Sequence, residues 1–149
     1  MAGLDRYDET SSLLVHGSAV GLGGKGVLFL GSSGRGKSDL ALQMIDRGAV
    51  LIADDQVRLC RVGDRLMAEA PAELAGLIEV RGLGIMRLPH ARGGLDLVVD
   101  LDLDEEETRL PDPMSATWHG LDLPKIRINA KAASAVAKID MALHAERAA

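Results

Sequence analysis

Apolar residues come in short runs broken by glycines and acidic pairs, and the period of each run predicts its element. Ser12-Leu13-Leu14-Val15-His16 reads as a strand and Val27-Leu28-Phe29-Leu30 as a second. Gly21, Gly23, Gly24 and Gly26 lie between them, so the two are expected to form a hairpin that carries His16 toward the segment after Leu30. Leu40, Ala41, Met44 and Ile45 then recur at helical spacing, which predicts a helix starting near Lys37, with Gly48 as its natural C-cap. Ala49-Val50-Leu51-Ile52-Ala53 is a short buried strand ending at Asp54-Asp55.

Downstream, Val57 to Val62 and Arg65 to Glu69 flank Gly63-Asp64, a two-residue hairpin signal. Pro71 to Ala75 suits one helical turn ended by Gly76, and Leu77-Ile78-Glu79-Val80 resumes a strand that runs into Arg81-Gly82-Leu83-Gly84-Ile85. Two glycines and a carboxylate there suit close approach to a ligand, and a bulge or tight bend explains them equally well. Leu95, Leu97, Val99, Leu101 and Leu103 alternate with Asp96, Val98, Asp100 and Asp102, the pattern of a half-exposed strand. The acidic run Asp102 to Glu107 reads as its solvated end. Leu123 to Ile128 is a further strand, and Ala132, Val136, Ile139 and Leu143 stripe an Ala-rich C-terminal helix. Residues 1–11 read as a loose polar tail and 12–149 as one α/β domain, a mixed sheet with flanking helices.

The strongest chemical signal is Gly31-Ser32-Ser33-Gly34-Arg35-Gly36-Lys37-Ser38, a complete G-x-x-x-x-G-K-[ST] match set between a strand and a helix. Glycines let the backbone turn and aim N–H groups at one point, and the following helix adds its positive end. That makes a cradle for nucleotide phosphates. Lys37 would reach the terminal phosphates and the Ser38 hydroxyl would hold Mg²⁺. Asp54 and Asp55 close the next strand, where a carboxylate can serve a metal or accept a proton. Consecutive strand residues face opposite ways, so one of the two should face the reacting group.

Composition narrows the partners. Hydrophobic residues make up 47% of the 149, but aromatics only 2%, so Leu, Val, Ile, Ala and Met must fill the core. A net charge of −5 opposes binding to nucleic acid, for which base-stacking rings are also lacking. The lone Cys60 reads as a small packed hydrophobe. No signal-peptide pattern opens the chain and no apolar stretch approaches the ~20 residues that span a bilayer, so a soluble cytoplasmic protein is expected.

Taken in order, His16-Gly17, Gly31 to Ser38, Arg47-Gly48, Ala53-Asp54-Asp55, Glu79-Val80-Arg81-Gly82-Leu83-Gly84-Ile85, Arg109-Leu110 and Leu123-Pro124-Lys125-Ile126 resemble the catalytic domain of the HPr kinase/phosphorylase family. The resemblance implies a P-loop fold related to phosphoenolpyruvate carboxykinase and an ATP- and Mg²⁺-dependent kinase acting on a serine of the phosphocarrier HPr. It further implies that His16 lies by the phosphates and that Lys37 and Arg109 stabilise charge. Ser38 and Glu79 would hold Mg²⁺, and Asp54 would accept the serine proton. The same resemblance implies a homo-oligomer, with a hexamer as the form it suggests.

Two departures qualify the likeness. The chain is expected to resemble the family's short forms, without the separate N-terminal domain common among its members. Where the family shows a P-V-x-x-G-R-N stretch tied to phosphorolysis, this chain has Asn129 to Ala135, with only Lys131 basic, so the reverse reaction is expected to be the weaker one. A kinase of a small metabolite and a silent nucleotide-binding regulatory module are the rival readings.

Overall fold

In the computed structural model, residues 12–103 and 107–148 are described. Strands β1 (Leu13–His16), β2 (Ser18–Leu22) and β3 (Lys25–Leu30) lead into helix α1 (Lys37–Asp46), and β4 (Val50–Ala53), β5 (Gln56–Val62) and β6 (Arg65–Glu69) follow. A 3₁₀ turn at Ala72–Leu74 precedes β7 (Leu77–Val80) and β8 (Gly84–Arg87). The chain continues through β9 (Gly93–Asp100), β10 (Met114–Trp118) and β11 (Leu121–Arg127) to α2 (Ala135–His144).

One mixed sheet runs β1-β5-β6-β9-β3-β2-β4, and the β10–β11 hairpin joins it through β11 on β9. β9 lies parallel to both β3 and β11, so the ends of these three strands leave the sheet on one side. Ligands of open α/β sheets gather at such carboxyl ends. The sheet curls on itself. β4 touches β6 and β2 touches β5 although neither pair is hydrogen-bonded. Between the curled halves pack Ala19, Leu28, Ile52, Val57, Leu59 and Leu95. The opposite face takes Val27, Phe29, Leu97 and Val99 against Leu40 and Met44 of α1 and Val136 and Ile139 of α2.

The mixed α/β domain follows the pattern expected from sequence, with two corrections. The hairpin partner of β3 is β2, turning through Gly23–Gly24, whereas the strand ending at His16 pairs antiparallel with β5. Gly17 separates the two strands because it is squeezed against the β3 backbone: a Cβ there would lie 2.7 Å from the Phe29 carbonyl. β9 is buried on both faces over Leu97–Val99 instead of half-exposed, since it sits mid-sheet between the two cores. Of the alternatives open for Arg81-Gly82-Leu83, the tight bend is present, as the turn of a separate β7–β8 hairpin. No described helix is long and apolar enough to cross a membrane.

Candidate active site

The glycine-rich loop occupies residues 31–36, between the end of β3 and the start of α1. Gly34 (φ 83°) and Gly36 (φ 97°) adopt left-handed torsions that side chains resist, and this turns the chain sharply into the helix. The Gly36 carbonyl accepts the first intrahelical bond, from Leu40 N–H at 2.9 Å. Lys37 is buried, and its ammonium donates to the Gly31 carbonyl at 2.5 Å and the Ser32 carbonyl at 3.2 Å. The loop thereby holds the charge of Lys37 over its own turn.

Beside it, β4 ends at Asp54 and Asp55, whose side chains diverge. Asp55 has φ 71°, a left-handed torsion that Asp tolerates better than most residues, and this kink sends its carboxylate outward. Asp54 is buried. Its Oδ1 accepts from the Ser18 hydroxyl at 2.7 Å and the Ser38 hydroxyl at 2.6 Å, and its Oδ2 from Glu79 N–H at 3.1 Å. One carboxylate thus ties together β2, α1 and β7, and it brings the two expected metal residues, Ser38 and Glu79, to the same floor.

A cavity of about 420 Å³ opens above that floor, lined by His16, Ser18, Lys37, Ser38, Asp55 and Glu79 together with loop residues Ser33, Gly34 and Gly36. That is the size of a small-molecule cleft. His16 Nδ1 stands 3.6 Å from Asp55 Oδ1, and both side chains are more than half exposed.

Most of the residues picked out by sequence converge here, and three groups do not. Gly31, Ser32 and Arg35 lie outside the cavity lining, and the last two face Asp102, which accepts from Ser32 N–H at 3.0 Å and pairs with Arg35 Nε at 3.1 Å. The Ser32 N–H bond is the foremost cause holding the Asp102 carboxyl below the usual range, and the nearby Arg35 and Lys37 charges act in the same direction. Arg109 is exposed and outside the cavity lining. Asp54 lies beneath the cavity rather than in its wall, and the acid that faces the space is Asp55.

Two residues here went unread in the sequence. Ser18 carried no signal, being one small residue in a glycine-rich stretch. Asp102 was absorbed into an acidic run. Of that run, residues 104–106 lie outside the described residues, and Glu107 pairs with Lys138 at 2.9 Å. That hydrogen bond is the main cause of a lowered Glu107 pKa.

Chemically, the arrangement offers a cationic side chain braced on a glycine loop, a hydroxyl and a carboxylate as hard oxygen donors, and an accessible acid next to an imidazole. Among the described residues no group of three or more His, Cys, Asp or Glu side chains could hold a metal ion. Ser38 and Glu79 still fit Mg²⁺, which commonly takes one or two protein oxygens and completes its shell with phosphates and water.

Comparison with known proteins places the chain in a family. The profile of the HPr Serine kinase C-terminal domain matches residues 9–146. HPr kinase/phosphorylase from Caldicellulosiruptor bescii is 42% identical over 96 residues, which cover 58% of this chain and 31% of that protein. Its counterpart from Geobacillus thermodenitrificans is 42% identical over 104 residues, covering 62% of this chain and 33% of that protein. The chain therefore spans about a third of the length of these relatives. A solved structure, the Hpr(Ser) kinase/phosphatase from Coxiella burnetii, superposes with a TM-score of 0.74 at 23% identity, over 87% of this chain and 92% of that one. At that identity the superposition speaks for the fold.

Proposed function

Since the chain belongs to the HPr serine kinase C-terminal domain family, we propose that it transfers the γ-phosphoryl of ATP to a serine of HPr or a close relative. The observation that carries this reading is the Asp54 carboxylate, which joins Ser38 and Glu79 beneath a cavity walled by Lys37 and Asp55. Loop residues 33–38 would cradle the phosphates with backbone N–H groups and the N-terminal end of α1. Lys37 would spread the negative charge that builds on the transferred group, the main work asked of a protein in phosphoryl transfer. Ser38 and Glu79 would hold Mg²⁺, which supplies charge neutralisation on the phosphate oxygens.

The proton acceptor in this proposal is Asp55 rather than Asp54. A base must reach the incoming hydroxyl, and Asp55 is exposed to the cavity, whereas both Asp54 oxygens are engaged by three donors. The serine oxygen would attack phosphorus as its proton passes to the Asp55 carboxylate, and ADP would leave. His16 would orient that carboxylate. Asp54 fixes the floor, and Arg109 is assigned no step. In reverse, a phosphate oxygen attacks phosphoserine, Asp55 returns the proton to the leaving serine oxygen, and pyrophosphate forms. The substituted Asn129 to Ala135 stretch argues that this direction is slow.

Radiolabelled ATP and Mg²⁺ offered with an HPr-type carrier, and separately with small-metabolite pools, test the reading. Label on one serine of the carrier, mapped by mass spectrometry, is the expected result. Label only in a metabolite supports the small-molecule kinase instead, and bound nucleotide with no transfer to either supports a silent module. A homo-oligomer in the cytoplasm, for which a hexamer is the family's suggestion, completes the proposal and is open to light scattering on the purified chain.

A further inference from the structure

The far side of the glycine loop carries a second acid that the proposed chemistry does not use. Asp102 lies just past the end of β9, at the carboxyl edge shared by the parallel strands β3, β9 and β11. Its carboxylate accepts from Ser32 N–H at 3.0 and 3.2 Å and from the Ser32 hydroxyl at 3.2 Å, and it pairs with Arg35 Nε at 3.1 Å. Those two residues are the ends of one turn, closed by Arg35 N–H donating to the Ser32 carbonyl at 3.2 Å.

The peptide unit between Gly31 and Ser32 is held from both sides. Its carbonyl oxygen accepts from the Lys37 ammonium and its N–H donates to Asp102. A trans peptide points its C=O and N–H in opposite directions. An anion on the N–H side and a cation on the C=O side therefore fix the plane of that peptide, and with it the place where the Lys37 charge rests.

Asp102 is itself fixed. Its backbone N–H donates to Asp100 Oδ1 at 2.9 Å, its carbonyl accepts from Arg127 at 2.6 Å, and Arg127 Nε pairs with Asp100 at 3.5 Å. The loop is thus braced by the ends of β9 and β11, not only by its own glycines.

We propose that Asp102 is a positioning residue that keeps the loop's first turn and the Lys37 ammonium set for nucleotide phosphates without touching the nucleotide. The inference rests on the nucleotide-binding reading of residues 31–38. Because Asp102 is partly exposed at the edge of the fold, its removal should loosen the loop and leave the core intact.

Calorimetric titration of the full chain with MgATP tests this in three forms: wild type, Asp102→Ala and Asp102→Asn. In Asp102→Ala, Kd should rise roughly tenfold, the equivalent of one charge-assisted hydrogen bond lost. Asp102→Asn keeps an oxygen for Ser32 N–H but loses the charge that pairs with Arg35 and the second oxygen that shares the Ser32 donors, so its Kd should rise less than in the alanine variant, about threefold. Thermal melting should leave all three within a few degrees, which separates loop positioning from a general loss of stability. In turnover, KM for ATP should rise more than kcat falls. An alanine variant that binds MgATP as tightly as wild type overturns the proposal, as does an asparagine variant no better than alanine. A wild-type chain with no affinity for MgATP overturns the nucleotide reading itself.

Discussion

Replacing Asp54 by asparagine tests the site's architecture apart from its chemistry. The substitution keeps shape and removes one acceptor oxygen and the charge. In the wild type one oxygen serves the Ser18 and Ser38 hydroxyls and the other serves Glu79 N–H. If the amide oxygen stays with the hydroxyls, the amide NH₂ meets the Glu79 N–H, donor against donor. If it flips, the NH₂ faces the two hydroxyls, and the proton of buried Ser18 loses its acceptor. Either way one charge-assisted bond goes, a loss of about 1.5–3 kcal/mol. Burying a neutral amide instead of a carboxylate recovers part of it, leaving a net cost of roughly 1–2 kcal/mol. For a domain of this size that lowers Tm by about 2–8 °C. Urea unfolding should give a lower midpoint at an unchanged slope, the mark of lost stability rather than an altered unfolded state. Asp55→Asn is the control: that side chain is 61% exposed and asparagine tolerates the same left-handed backbone, so its midpoint should match wild type. Equal midpoints for wild type and Asp54→Asn would refute the role of Asp54 as the tie among β2, α1 and β7.

Other sites give further outcomes. Glu79→Gln should raise the Mg²⁺ concentration needed for half-maximal nucleotide binding, read by titrating Mg²⁺ at fixed ATP, and an unchanged requirement removes Glu79 from the metal. Gly26→Ala places a Cβ 2.2 Å from the Gly94 carbonyl, backbone against backbone at the join of β3 and β9, and should cost about 1–3 kcal/mol in denaturant unfolding. Burial raises the Asp96 pKa, but hydrogen bonds from Arg65 and Gly26 N–H outweigh it and the net shift is downward. A carboxyl depressed on folding contributes stability that is complete above its unfolded pKa of about 4 and is lost as pH falls toward the lower folded value. Wild type should therefore lose more stability than Asp96→Asn on acidification below about pH 4, as followed by urea midpoints.

What the sequence disclosed was what lies close along the chain. The loop at 31–38, α1 with its Gly48 terminus and the hairpin at Gly63-Asp64 are each written within a few residues and were recovered as expected. The site's long-range ties were not. Ser18 meets Asp54 across 36 positions and Asp102 meets Ser32 across 70, and no local period records either pairing. Gly21 within β2 and Gly23 and Gly24 just after it make that strand read as part of a turn, and the same reading gives β1 the wrong partner. Alternation rightly said that only one acid of the 54–55 pair faces the cavity. It could not say which, because the choice depends on the left-handed kink at Asp55. Asp96 and Asp100 made β9 look half-exposed, yet each is held by an arginine, Arg65 and Arg127 respectively.

The central claim, that this cavity moves a phosphoryl group to a serine with Asp55 as the base, is tested most directly by single-turnover transfer from MgATP to an HPr-type carrier, wild type beside Asp55→Asn. The account predicts phosphoserine on the carrier with wild type and a rate lower by ~10²–10⁴ in the variant, with MgATP affinity retained. Transfer at an undiminished rate by Asp55→Asn would contradict it.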